Sequence, residues 1–142
     1  MRDLANELAL RHAIAPAVAT TTQTGATINR AGFESVAFAV HVGIGGITFD
    51  ATNRIDMVIE HSNDGTAWAN CVQDDVTGAT LAANSIFRSL QAAHAAPSVT
   101  RVGYVGARQF ARVRTVFAGT HGTGTPLSAL AMLGDALVKP AA

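Results

Sequence analysis

A glycine-rich stretch near the end of the chain has residue types that could bind phosphate. Three glycines surround a histidine in FAGTHGTGTPLSALAMLG, Phe117–Gly134. A Walker-type phosphate loop needs Lys and then Ser or Thr after its last glycine, but Thr125 and Pro126 follow here. The order G-x-x-G-x-G also differs from the dinucleotide-binding G-x-G-x-x-G, which needs a later acidic residue. We therefore interpret residues 119–125 as the loop of a β-hairpin, with no helix behind it.

Residues that commonly bind metals or act as nucleophiles are few and scattered. Cys71 is the one cysteine, so an intrachain disulfide or a C-x-x-C pair is excluded, and we expect a small apolar filler. His41 and His61 lie in strand-like runs, where a hydrogen-bonded strand histidine is the commoner outcome. We predict no metal site and no cofactor. The histidines, which lack H-x-x-x-H or H-E-x-x-H spacing, are His12, His41, His61, His94 and His121.

Oxygen-bearing side chains accompany a turn signal in SNDGTAW. Asp64 followed by Gly65 is typical of a tight turn between two strands, with Trp68 at the start of the returning strand. A calcium loop is the alternative, because Asn63, Asp74 and Asp75 also carry oxygens, but the D-x-[DN]-x-[DN]-G spacing is absent. We interpret the segment as a hairpin turn.

Four arginines in the last third of the chain form a predicted basic patch. One interpretation is a solvated outer face balanced by carboxylates of the same chain. The other is a docking surface for an acidic partner, and the neutral net charge does not choose between them. The predicted partner-contact residues are Arg101, Arg108, Arg112 and Arg114.

Composition limits the class of protein. A chain of 142 residues has the size of one domain, and 14% charged residues with zero net charge predict no nucleic-acid or membrane partner. Asp3 and Glu7 interrupt the opening, so we expect no export signal and a product made in the cytoplasm. A G-x-S-x-G nucleophile elbow is missing, and we predict that the protein is not an enzyme.

Strands must position these residues, because apolar side chains recur at every second position in several runs. The run ESVAFAVHVG alternates in this way, RIDMVIEHS places Arg54, Asp56 and Glu60 outward, and RQFARVRTVFAG has Arg112 and Arg114 outward. The predicted core contains Val36, Phe38, Val40, Ile55, Met57, Ile59, Val113 and Phe117.

Many short alternating strands with turn signals between them predict an all-β fold, an antiparallel β-sandwich of jelly-roll-like type. Residues 1–24 are predicted to form an extended N-terminal arm, because a short helical run precedes Pro16 and polar, β-branched residues follow it. Residues 25–142 then form the sandwich domain, with a loop and a short strand or helical turn within 78–97.

The chain also resembles a family of small structural proteins in the virions of tailed bacteriophages. The resemblance is carried by MRDL, VIEHSNDGTAW, RVGYVGARQFARVRTVFAGTHGTGTP and ALAMLGDALVKP. It spans nearly the whole chain except about 78–97, and its motifs are scaffold features that mark no chemical site.

This resemblance implies a capsid decoration or cement protein on the outside of the head. Its expected partners are the major capsid protein and further copies of itself, as a trimer at a local three-fold position with the arm bridging subunits. One alternative is a head-to-tail connector or tail component, which would form a ring of about six or more copies. Another is a carbohydrate-binding β-sandwich module that uses Trp68 as a stacking platform.

Overall fold

The protein is an all-β antiparallel sandwich, as the strand pattern predicts. A computed structural model describes residues 3–141, so the first two residues of the predicted arm and the last residue of the predicted domain lie outside it. A four-residue helix, α1 (Leu4–Glu7), precedes the strands. These are β1 (Ala9–Ala19), β2 (Gln23–Thr24), β3 (Ile28–Asn29), β4 (Phe33–Val42), β5 (Arg54–Ser62), β6 (Ala69–Asn70), β7 (Val76–Thr77), β8 (Ile86–Leu90), β9 (Ser98–Tyr104), β10 (Phe110–Ala118) and β11 (Thr125–Ala136).

The strands form two sheets in which every pairing is antiparallel. The first sheet has the order β1-β11-β4-β9-β7. In the second sheet, β10 and β5 pair along nine residues at the centre. On the side away from β5, β10 pairs with both β2 and β3. On the side away from β10, β5 pairs with β6 and β8.

Successive long strands mostly alternate between the two sheets. The first sheet contains β1, β11, β4 and β9 side by side. In the second sheet, β2 and β3 together occupy one strand position, and β10, β5 and β8 follow in that order. This is the strand order of a jelly roll, in which two Greek keys close a double sheet. The predicted jelly-roll-like sandwich is therefore confirmed.

The core lies between the inner faces of the two sheets and matches the predicted list closely. Phe38, Val40, Ile55 and Met57 are completely buried, and Phe117 is half-buried and packs against the core. In β11, the alternate residues Leu127, Ala129, Ala131 and Leu133 also face inward. A period of two thus identified the inward sides of β4, β5 and β10 correctly.

The separate N-terminal arm is not confirmed, because residues 9–19 are an edge strand of the sandwich itself. β1 pairs with β11 from Ala9 opposite Leu133 to Ala19 opposite Thr125. Ala13 and Ile14 in this strand are buried in the core. The predicted helical run is shortened to α1, because the residues that follow it pair with β11.

The hairpin predicted around residues 119–125 is wrong in its pairing, although both strands exist. β10 belongs to the second sheet and β11 to the first, so the loop crosses from one sheet to the other. Alternation in a sequence reports which side of a strand is buried, but it carries no information about the neighbouring strand.

Two further predictions agree with the structure. The hairpin around Asp64-Gly65 joins β5 to β6, and Gly65 has a φ of 76°. Residues 78–97 contain one short 3₁₀ turn, Ala83–Ser85, followed by β8.

Across residues 3–141, no helix has both the length and the apolar character needed to cross a bilayer.

Candidate functional site

The outward side of the first sheet carries a continuous apolar surface, which we call the apolar face. It consists of the outward side chains of β1, β11, β4 and β9. Leu10 lies opposite Met132 and His12 opposite Leu130, and Leu130 lies opposite Ala39. The residues of the apolar face are Leu10, His12, Ala37, Ala39, His41, Val99, Arg101, Ser128, Leu130 and Met132.

Large apolar side chains on this face are open to solvent. Val99 is 64% exposed and Leu10 is 56% exposed. The small side chain of Ala39 lies between Leu130 and Arg101 in the register, and this leaves a trough along β4. An open depression of about 500 Å³ follows the trough, and His41 and Val99 are among its lining residues.

Two further depressions lie along the same sheet, and one of them is continuous with the trough. A second depression of about 330 Å³ shares Pro16, His41 and Ser128 with the first. A third, of about 300 Å³, lies at the other end of the sheet beside Ala37 and Met132. The apolar face is therefore one extended surface, which is a shape that suits contact with another protein.

The edge of the first sheet is protected against pairing with another strand. Pro16 lies on the edge strand β1, where it removes a backbone N–H donor. The register of β1 against β11 also shifts between His12 and Ile14 and again between Ile14 and Ala17. Irregular edges with proline resist strand addition, so the apolar face is better suited to docking than the edge.

The structure does not bring the four predicted partner-contact arginines together. Arg101 lies on the apolar face of the first sheet, and Arg108 lies in the loop before β10. Arg112 and Arg114 lie on the outer face of the second sheet. Arg101 lies far from Arg112 and Arg114, although they are close in sequence, because β9 and β10 belong to different sheets.

Arg112 and Arg114 share one carboxylate of their own chain. Arg112 Nε donates to Glu60 Oε2 at 2.7 Å, and Arg114 Nη1 donates to Glu60 Oε1 at 2.9 Å. The outward orientation predicted for Glu60 is correct, but the side chain is only 10% exposed because the arginines cover it. These contacts agree with the interpretation of an outer face balanced by carboxylates of the same chain.

Trp68 packs beside this ion pair. The guanidinium carbon of Arg112 lies 4.1 Å from the centroid of the indole ring. The cation therefore covers one face of the ring and leaves at most the other face for a sugar to stack on. This contact does not favour the carbohydrate-binding alternative.

A polar cluster, which we call the His61 cluster, lies inside one end of the sandwich. It consists of His61, Cys71, Asp75 and Tyr104. His61 Nδ1 is 3.0 Å from the Tyr104 hydroxyl and 3.8 Å from Asp75 Oδ2. The sequence analysis did not predict this cluster. The available signal was a polar residue at a core position, because His61 continues the inward positions of Ile55, Met57 and Ile59.

The His61 cluster is poorly suited to nucleophilic catalysis. Burial is the main cause that raises the pKa of the Cys71 thiol to about 12, so the thiol keeps its proton at neutral pH. Burial, followed by the positive charge of Arg108, lowers the pKa of His61, and Asp75 opposes these effects. A neutral imidazole beside an unionised thiol lacks the ion pair that activates cysteine nucleophiles.

The glycine loop uses its amides inside the chain. Thr120 N–H donates to Asn53 Oδ1 at 2.8 Å, and Gly124 N–H donates to the His121 carbonyl at 2.8 Å. These two amides are therefore not available to bind a phosphate. Gly119 and Gly124 have φ values of 77° and 90°, which a tight crossing between sheets requires. β11 begins directly after the loop, so no helix dipole favours a phosphate there.

The remaining acidic turn agrees with the hairpin interpretation. Asp64 Oδ1 accepts the backbone N–H groups of Ala67 and Thr66, each at 2.8 Å, and the Ser62 hydroxyl at 2.9 Å. These hydrogen bonds, those from the backbone of Ala67 and Thr66 first, hold the pKa of Asp64 well below its ordinary value. The carboxylate oxygens therefore organise the turn itself.

Comparison with known proteins gives little further information. No protein-family profile matches the chain, and no curated protein sequence matches it. One similar solved structure is described as "Bacillus endospore appendages form a novel family of disulfide-linked pili". That similarity has a TM-score of 0.44 and 9% sequence identity, and it covers 90% of this chain and 88% of the other. At this level the likeness supports no conclusion about function.

Proposed function

We propose that this chain is a structural virion protein of a tailed bacteriophage, a capsid decoration or cement protein that stabilises the head shell. The observation that carries the proposal is the exposed apolar face of the first sheet, together with the sequence resemblance to small phage virion proteins. Covering an apolar surface of this kind with a partner removes it from water and therefore stabilises the complex.

The charges around the apolar face favour one kind of partner. Arg101 lies on the face beside Ala39, and His12 and His41 flank the trough. The residues that line the 500 Å³ depression include no Asp or Glu, whereas Glu7 and Asp135 line the third depression at the other end of the sheet. A complementary partner therefore offers apolar side chains with carboxylates around the 500 Å³ depression. In this proposal the partner is the outer surface of the major capsid protein.

Assembly of several copies completes the proposed arrangement. The protein forms a homo-oligomer, a trimer at a local three-fold position of the shell, and is located on the capsid surface after assembly in the host cytoplasm. Its role is structural and not enzymatic, and it needs no cofactor, nucleic acid or membrane. The jelly-roll order supports this proposal by analogy, because viral capsid proteins often have it, but lectins share it too.

A matched pair of substitutions tests the docking role of the apolar face. Val99→Asp places a charge on the face, and Val72→Asp makes the same change at a residue of equal exposure outside it, 64% against 62%. The assay is co-sedimentation with phage heads that lack the protein. We expect wild type and Val72→Asp to bind, and Val99→Asp to bind more than about tenfold more weakly.

Three results would contradict this proposal. Failure of the wild-type protein to sediment with heads would remove the capsid as its partner. Equal binding by the two variants would remove the apolar face from the contact. Saturation at a few copies for each head, at one vertex, would favour the connector alternative over a decoration protein.

A further inference from the structure

The His61 cluster contains three different metal-binding atom types in one small volume. One nitrogen of His61, the sulfur of Cys71 and a carboxylate oxygen of Asp75 all lie within 4.8 Å of one another. Within residues 3–141, this is the one group of three such side chains close enough to share an ion. Its members lie fourteen positions apart in sequence at most, but no zinc spacing motif marks them.

The fold brings these three side chains together for identifiable reasons. His61 is the last inward residue of β5 and lies opposite Ala69 of β6. Cys71 follows β6 directly, two residues after Ala69, and so faces the same side of the sheet. The chain then forms a 3₁₀ turn, Gln73–Asp75, which aims Asp75 at the same point.

Asp75 is held in position from both sides. Its Oδ2 atom accepts the backbone N–H of Val72 at 3.0 Å, and its carbonyl accepts the N–H of Val105 at 2.8 Å. His61 and Cys71 are 6% and 4% exposed, whereas the Asp75 side chain is 21% exposed. The cluster is therefore preorganised, and the carboxylate side gives it an opening to solvent.

His61 Nδ1 is hydrogen-bonded to the Tyr104 hydroxyl at 3.0 Å, and the Tyr104 oxygen also accepts the backbone N–H of Arg108 at 3.1 Å. In the His61 tautomer with an unprotonated Nδ1, the tyrosine O–H donates and the Nδ1 lone pair is directed at Tyr104. A metal ion bound to Nδ1 takes this lone pair in place of the tyrosine hydrogen bond, and Tyr104 keeps its proton.

We propose that His61, Cys71 and Asp75 form a binding site for a divalent metal ion of the zinc class, with the fourth position held by water. Imidazole nitrogen, thiolate sulfur and carboxylate oxygen are the ligands that Zn²⁺ uses in proteins. Metal–ligand distances of about 2.0 to 2.3 Å require the three atoms to close to roughly 3.3 to 3.8 Å apart. For a nitrogen and an oxygen ligand the separation is roughly 3.3 to 3.5 Å, so the 3.8 Å between His61 Nδ1 and Asp75 Oδ2 has to shorten by a few tenths of an ångström.

The charges also balance when the ion binds. The Cys71 thiol releases its proton to water, and the thiolate and the Asp75 carboxylate then neutralise the dication. Arg108 and Glu60 both interact electrostatically with Cys71, with opposite signs, so their effects on the ion oppose each other. The site needs no group beyond the three side chains and water.

The position of the site indicates a structural role. β5 and β6 belong to the second sheet, and Asp75 directly precedes β7, which pairs with β9 in the first sheet. An ion bound here would hold in place the segment in which the chain passes from the second sheet to the first. Binding to the folded state alone raises the free energy of unfolding as the ion concentration rises above its Kd. This inference rests on the geometry of the cluster and not on the proposed virion function.

Cobalt(II) titration of the reduced, metal-stripped protein tests the site. Co²⁺ is spectroscopically visible, and a cysteine ligand gives a sulfur-to-metal charge-transfer band with visible bands typical of four-coordinate sites. We expect saturation at one ion for each chain and displacement of Co²⁺ by Zn²⁺. Zn²⁺ should also raise the Tm, because it binds the folded state.

Matched variants identify the ligands. Cys71→Ser should abolish the charge-transfer band, and Asp75→Asn should weaken Co²⁺ binding more than about tenfold. Asp74→Asn, at the neighbouring exposed carboxylate, should bind like the wild type. Absence of the charge-transfer band from the folded wild-type protein would overturn the proposal, whatever the variants do. A band unchanged in Cys71→Ser, or lost equally in Asp74→Asn, would also overturn it.

Discussion

Glu60 is the point at which a single substitution should disturb the second sheet most clearly without changing its shape. The Glu60 side chain is 10% exposed and accepts hydrogen bonds from Arg112 and Arg114, whose side chains are 19% and 30% exposed. Glu60→Gln keeps nearly the same volume but removes the negative charge. Both guanidinium groups then stay half-covered without their counter-charge.

The expected cost follows from these contacts. Removing one partner of a fully buried ion pair costs about 3 to 5 kcal/mol, and each charge-assisted hydrogen bond contributes about 1.5 to 3 kcal/mol. The exposed fractions of the arginines allow water to replace part of this loss. We therefore expect Glu60→Gln to lower the free energy of unfolding by about 2 to 3 kcal/mol, and the Tm by roughly 5 to 10 °C.

Urea unfolding followed by circular dichroism measures this change. Glu34→Gln is the matched control, because Glu34 is an exposed residue of β4 and should change the free energy of unfolding by less than about 0.5 kcal/mol. A double-mutant cycle with Arg112→Gln should show a coupling energy of at least about 0.5 kcal/mol. If Glu60→Gln unfolds like the control, or the two substitutions are simply additive, the shared ion pair does not stabilise the sheet.

Three further predictions concern the core, the edge strand and the acidic turn. Phe38→Ala removes a side chain with no exposed surface and should cost about 3 to 5 kcal/mol in urea unfolding with an unchanged m-value, and an unchanged melting curve would contradict its burial. Deleting residues 1–19 removes β1 and uncovers β11, so we expect loss of cooperative unfolding, and a soluble domain with a sharp transition would refute this reasoning. The lowered pKa of Asp64 stabilises the fold above its unfolded pKa of 3.8, and this contribution is lost as the pH falls through the folded value. The urea midpoint of the wild-type protein should therefore exceed that of Asp64→Asn at neutral pH and approach it below about pH 4, whereas a pH-independent difference would exclude the charge as its cause.

Period-two alternation was enough to predict the central strands β4, β5 and β10 and their inward sides, but it did not predict the edge strand β1. Val36, Phe38 and Val40 alternate with less apolar residues, and a sheet with one buried face requires that pattern. The same pattern did not predict which strands pair. β10 and β11 are separated by a short glycine loop, as in a hairpin, but they lie in opposite sheets.

The candidate sites also depend on strand pairings and turns that could not be predicted from the sequence. The exposed apolar face could not be predicted, because Leu10, Ala39 and Val99 become neighbours only through pairings of distant segments. The His61 cluster arises from a hairpin and a 3₁₀ turn, which bring together residues that carry no recognised spacing. Arg101 and Arg112 lie close in sequence, but the alternation of strands between sheets separates them.

Location in the virus particle tests the central proposal most directly. The measurement is a cryo-electron microscopy reconstruction of phage particles whose genome encodes this chain, compared with particles of a deletion strain. We expect the wild-type particles to carry additional jelly-roll density on the outer surface of the head, at local three-fold positions, with the apolar face against the capsid protein. Density confined to the neck or tail, or no difference between the two reconstructions, would contradict a capsid decoration role.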